Sequence, residues 1–299
     1  MTEHGLAKPA SLGARVISLT APPWAAALGS LGTAPLPVRI AASLVLLAFL
    51  MAGSMPVLRP EGLTAMAIVF VASALSSIGG FAFSAICGAL LFHVLPPVTA
   101  VQLMIVCSIA IQAMSVLALR QSIDWRMLSR LLVGGVVSLP LGAYLLVTSD
   151  AQLYCRMLGG FLLAYGCFML LRPRTTLRFQ RGWADCGAGL CGGITGGLAG
   201  FPGAFVTIWC SLKGWDKNRQ RGVYQPFILI MQILAMIAIP LVAIGSGQRA
   251  GVGAEALLFV PAALLGTWCG LGCYHRLSET QFAIVVNGLL IVSGVSLVL

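Results

Sequence analysis

The feature that most constrains this chain is the recurrence of apolar stretches without a charged side chain, as at 97–119 and 223–245. About 20 helical residues cross the hydrocarbon core of a bilayer. Inside that core every backbone N–H and C=O must be bonded within the protein, so an isolated apolar stretch crosses as a helix. Further full-span stretches lie at 38–58, 127–148, 153–171, 253–274 and 281–299. Only 9% of the 299 residues are charged, whereas a soluble domain carries about 25%. The predicted fold is therefore an all-α integral membrane protein, a polytopic helical bundle with the lipid bilayer as its main partner.

The formal charge of +10 does not point to nucleic acid. The basic residues lie in short loops between apolar stretches, and no basic stripe is interleaved with aromatics on a polar face. In such loops they set orientation, because cytoplasmic loops of membrane proteins are enriched in Lys and Arg. The nine cysteines fall mostly within apolar stretches at spacings unlike those of a zinc site, and read as packing residues. The stretch from Arg15 to Ala34 is broken by Pro22, Pro23 and Gly29 and does not read as a cleavable signal.

Two apolar stretches, at 63–95 and 183–212, are rich in glycine and longer than one span. Both are too short for two full spans, which need about 40 residues. If the second crossed once, the Arg172–Arg181 cluster and the Lys213–Arg221 cluster would face opposite sides. If each stretch instead enters and returns on the same side, 15 of the 18 bases fall inside and Arg59, Arg156 and Arg249 fall outside. Two re-entrant, broken helix pairs are thus expected.

A repeat accompanies them. Ser149-Asp150-Ala151-Gln152-Leu153 resembles Ser278-Glu279-Thr280-Gln281-Phe282, and Gly159 then falls opposite Gly288. With the orientation above, 97–119 runs inward while 223–245 runs outward, which makes the halves inverted repeats. The expected plan is a cytoplasmic N-terminal tail at 1–37 and an extra N-terminal transmembrane helix at 38–62. The first repeat follows at 63–173, then a basic cytoplasmic linker at 174–182 and the second repeat at 183–299. The C-terminus falls on the periplasmic side, and a homodimer is left open.

A half-helix that starts inside the bilayer aims unpaired N–H groups and a partial positive charge at whatever lies before it, which suits an anion. Glycine lets backbone approach a ligand, and Pro202 removes a donor and interrupts the helix. The candidate binding backbone is therefore Gly79 and Gly80 in the first stretch and Gly200, Pro202 and Gly203 in the second. Close helix packing through small residues is the competing reading of the glycines. Gln102, Gln112, Gln225 and Gln232 in the following spans could donate to an oxyanion or tie helices together; Ser108 and Asn287 are further polar residues there. Gln102 and Gln225 stand out because each follows a broken stretch at a similar place. No acid or base lies near the middle of a full span, which disfavours a cationic cargo or an ionisable proton relay. With no nucleophile elbow, metal cluster or phosphate-binding loop, the expectation is a protein that is not an enzyme and uses no metal or cofactor.

The sequence resembles the sulfite exporter TauE/SafE family over roughly 63–299. The likeness rests on Ile78-Gly79-Gly80, on Leu95-Pro96-Pro97-Val98-Thr99-Ala100-Val101 and on Asp124-Trp125-Arg126. In the second half Gly200-Phe201-Pro202-Gly203-Ala204, Gly214-Trp215-Asp216-Lys217 and Tyr224-Gln225-Pro226 carry it. The resemblance implies an inner-membrane secondary transporter of sulfite, an organosulfonate or a related small anion. The alternatives are a carrier of an uncharged or cationic solute and a membrane assembly or sensor protein without transport.

Overall fold

The computed structural model describes residues 60–77, 82–119, 122–171, 182–247, 254–273 and 279–299. The tail at 1–37 and nearly all of the extra helix at 38–62 lie outside the described residues, as do Gly79 and Gly80. Among the described residues the regular secondary structure is helical, without a strand. Helix α1 (Pro60–Ser76) and α2 (Phe83–Leu91) come from the first broken stretch, followed by α3 (Pro97–Leu119), α4 (Trp125–Thr148) and α5 (Ala151–Leu171). The second broken stretch gives α6 (Gly182–Ala199) and α7 (Gly203–Leu212), followed by α8 (Lys217–Gly245). A 3₁₀ turn (Ala254–Phe259) leads into α9 (Val260–Cys273), and α10 (Glu279–Val298) ends the chain. Helices α3, α4, α5 and α8 are long and apolar enough to cross a bilayer.

Local signals set the boundaries. Asp124 caps α4 by accepting the Met127 N–H at 3.2 Å, and Asp216 caps α8 by accepting those of Asn218 and Arg219 at 3.0 and 3.1 Å. Each carboxylate satisfies donors that a helix start leaves unpaired. Gly214 and Gly247, at φ 67° and 71°, follow the ends of α7 and α8 in the left-handed conformation that glycine adopts freely. His93 lies exposed in the turn between α2 and α3.

Lipid tails are as apolar as leucine, so helices here associate through close contact rather than by hiding apolar surface from water. Helix α6 lies along α4, with Gly189, Gly193 and Gly197 facing Gly134, Ser138 and Gly142. A Cβ on Gly193 would overlap Gly135 O and Ser138 Oγ, and one on Gly189 would overlap Leu131 O. Gly266 and Gly270 bring α9 equally close to α1 at Phe70 and Ala74, while Gly159 and Gly294 bring α5 and α10 together. These glycines are used for packing. The outward faces carry exposed apolar side chains such as Val137, Leu241, Ile244 and Val292, as a surface in lipid requires.

The second broken stretch is a hairpin. Asp185, in the first turn of α6, pairs with Lys213 Nζ at 2.7 Å just past the end of α7. It also accepts a hydrogen bond from Trp209 Nε1 at 2.9 Å. The chain therefore turns back and returns to the level where it entered. Arg130 reaches Asp185 at 3.4 Å, Arg219 reaches Asp124 at 3.1 Å, and Gly222 abuts Ser122. The starts of α4, α6 and α8 and the end of α7 consequently share one end of the molecule, as the charge distribution predicts for these loops.

Candidate functional site

The hairpin turn is Gly200-Phe201-Pro202. Gly200 ends α6 at φ 62°, a conformation that a side chain would strain, and the Phe201 N–H reaches back to Thr195 O at 3.2 Å. Helix α7 then starts from Pro202 without a side-chain cap, and α2 starts from Ala82 likewise. Both starts are buried. A helix of ten residues is about 15 Å long, so the turn lies about half a bilayer core from the base of the hairpin.

The tip is wedged between α3 and α8. Val101 and Ile105 lie against Gly200, and Ile228 lies against Gly203. Gln232, only 1% exposed, is the polar centre of this wedge. Its Nε2 donates to Ser108 Oγ at 2.8 Å on α3, with Gly200 O at 3.3 Å on the turn and Ser84 Oγ at 3.4 Å on α2. One amide thus joins four elements, including a member of each broken pair. Its own Oε1 is buried without a hydrogen-bond partner.

Aromatic side chains brace the turn. Tyr154 of α5 donates its hydroxyl to Leu198 O at 2.8 Å, and its ring meets Phe92 edge-on at 5.7 Å. Tyr165 meets Phe201 in the same way at 5.7 Å. Beside the turn, Ser84, Gly88, Phe92, Phe161 and Phe201 line a small cavity with room for about one water. Its wall is apolar except at Ser84, so its polar end adjoins the Gln232 cluster.

Of the residues expected from sequence, Gly200, Pro202, Gly203 and Gln232 come together at the turn. Gln102, Gln112 and Gln225 are buried on α3 and α8, and the amide oxygens of Gln112 and Gln225 have no hydrogen-bond partner. Beside the expected correspondence of Gln102 with Gln225, the helix starts offer a second spacing. Helices α2 and α7 begin at Phe83 and Gly203, and α3 and α8 at Pro97 and Lys217, both intervals of 120 residues. The same interval relates Gly80 to Gly200 and Gln112 to Gln232.

Sequence reading passed over Ser84 and Asp185. Ser84 had no signal except its place three residues after Phe81 in a stretch whose glycine was already marked. Asp185 did have one: it is the lone acid of an apolar, glycine-rich stretch flanked by basic clusters. Such an acid needs a cation, and the structure supplies Lys213 and Arg130.

A family model described as sulfite exporter TauE/SafE matches residues 65–297 of the chain. No curated protein and no solved structure matches it.

Proposed function

Because this chain belongs to the sulfite exporter TauE/SafE family, whose members are membrane transporters of sulfur-containing anions, we propose that it carries sulfite, an organosulfonate or a related small anion across the bacterial inner membrane. The observation that carries this reading is the pair of buried helix starts, α2 at Ala82 and α7 at Pro202, each without a side-chain cap. Unpaired N–H groups and the positive end of a helix dipole compensate an anion where a lysine or arginine would be costly to bury. Gln112 lies on α3 at the position equivalent to Gln232, whose amide donors hold the turn against α2 and α3.

The mechanism proposed is alternating access by a secondary transporter built on inverted repeats. Its support is the 120-residue interval and the way partners recur: α6 lies on α4 as α9 lies on α1, while α5 meets α10 and α3 meets α8. The basic end, with Arg130, Lys213 and Arg219, is the cytoplasmic one by the positive-inside rule, which puts the N-terminus inside and the C-terminus in the periplasm.

The test is uptake of radiolabelled sulfite and of an alkyl sulfonate by liposomes containing the purified chain. Saturable uptake, competed by the other anion and missing from empty liposomes, is the expected result. Gly203→Leu is expected to abolish uptake by more than it lowers the yield of folded protein, because its Cβ would meet the end of the Ile228 side chain and displace the packing around the start of α7. Uptake that is unchanged in that variant, or no uptake of either anion by the folded protein, would refute the reading.

A further inference from the structure

We propose that the turn of the α6–α7 hairpin is a binding site for a monovalent alkali cation, held by Gly200 O, Ser84 Oγ, Ser108 Oγ and the amide oxygen of Gln232. In the transport reading this cation is the coupling ion, and only that role rests on the reading; the site itself rests on the oxygens.

A broken helix has two electrical ends at the same depth. The start of α7 presents N–H groups and suits an anion, whereas the end of α6 presents carbonyl oxygens and a partial negative charge. Gly200 O belongs to that second end. It converges with two hydroxyls from α2 and α3 on one point, the point now taken by Gln232 Nε2 at 2.8, 3.3 and 3.4 Å. An NH2 group has two hydrogens for these three acceptors. It sits where a small positive charge is wanted.

The other half of the amide strengthens the case. Oε1 of Gln232 is buried without a donor, as are Oε1 of Gln112 and of Gln225 on the same two helices. An anion brings further acceptors and leaves such oxygens unsatisfied. A cation satisfies them. With the Gln232 side chain drawn back and its amide turned, a cation takes the point that Nε2 now holds and Oε1 becomes the fourth oxygen around it. All four ligands are neutral, and the carboxylate Asp185 is engaged at the far end of α6. Hard oxygen ligands without carboxylates favour a singly charged ion over Ca²⁺ or Mg²⁺, which recruit acids.

Equilibrium binding of ²²Na⁺ and of ⁸⁶Rb⁺ (a stand-in for K⁺) to the purified full chain in detergent tests this, with no transported anion present. Saturable binding of either ion is expected, displaced by the unlabelled ion and not by N-methylglucamine. Gln232→Leu and Ser108→Ala are each expected to weaken it by about tenfold or more. Gln232→Glu is expected to tighten it and to make it rise with pH, whereas a merely structural amide predicts loss of folded protein and no tighter binding. Cys191→Ser, on an exposed face of α6, is expected to bind as the parent does. If Gln232→Leu does not fold, Ser108→Ala decides. No saturable binding of either ion by the folded parent, or equal binding in Ser108→Ala, overturns the proposal. Cation binding without anion uptake would overturn the anion reading alone, and uptake without cation binding would overturn this one.

Discussion

The base and the tip of the α6–α7 hairpin are secured by opposite chemistries. At the base, Asp185 holds Lys213, Arg130 and Trp209, and Lys213 lies 5.4 Å from the ring of Trp215, over which Arg219 stacks at 4.3 Å. Arg219 in turn pairs with Asp124, the residue that caps α4, so the contacts return to the helix that carries Arg130. At the tip nothing is charged: an amide, two hydroxyls and one backbone carbonyl meet around Gln232. Charge is inexpensive to keep near headgroups and water and costly at mid-bilayer, where only neutral dipoles can be held in reserve for a ligand. The base makes a permanent joint. The tip leaves one amide oxygen, Oε1 of Gln232, uncommitted.

The largest effect should come from breaking the base. Asp185→Asn leaves Lys213, itself 10% exposed, without its carboxylate, and removing one partner of a buried pair costs about 3–5 kcal/mol. A marked fall in the melting temperature of the detergent-purified protein is expected, and Asp185→Asn combined with Lys213→Met should recover much of it. Failure of the double variant to recover would assign the loss to the Trp209 hydrogen bond instead. Between base and tip, Gly193→Ala should cost about 1–3 kcal/mol, since its Cβ overlaps the α4 backbone. Gly187→Ala, with open space at its Cβ, should stabilise the helix by about 0.5–1 kcal/mol. Equal effects in the two variants would remove the close α4–α6 contact from the account.

The smallest expected effect is that of salt. Exposed parts of the base, such as the Arg219–Asp124 pair, contribute about 0–1 kcal/mol and are screened by ions. Raising choline chloride should therefore lower the melting temperature of the parent slightly. Arg219→Gln should melt lower at low salt and respond less. A parent that is indifferent to choline chloride would show that the ring of charges contributes through packing alone.

Much of this arrangement was legible before any coordinates. Charge-free stretches of bilayer length and the two broken stretches come from local composition, which a lipid solvent makes unusually strict, whereas α8 starts at Lys217, six residues before the apolar stretch at 223–245. The shared end of Arg130, Lys213 and Arg219 agrees with the charge distribution, and the Arg172–Arg181 cluster lies outside the described residues. Residue partners were harder. Gln102, Gln112, Gln225 and Gln232 look alike in sequence, because an amide on a helix does not declare what faces it. Only the wedge of Gly200 between α3 and α8 selects Gln232. The glycines were ambiguous for the same reason: Gly193 and Gly197 serve a seam and Gly200 serves a turn, although all three belong to one run. Asp185 gives no mid-span signal because its role lies at an edge, in the first turn of α6.

The glycine seams also bear on how such a molecule could move. Helix α6, from the second half of the chain, lies so close to α4, from the first, that their backbones cannot slide past each other without collision. Helix α1 of the first half is bound to α9 of the second in the same way. The most closely packed units are therefore assembled across the two halves: α4 with α6, and α9 with α1. The order of helices along the chain is not the order of its mechanical units, and a hinge is to be sought in the connections between these exchanged pairs rather than at the midpoint of the sequence.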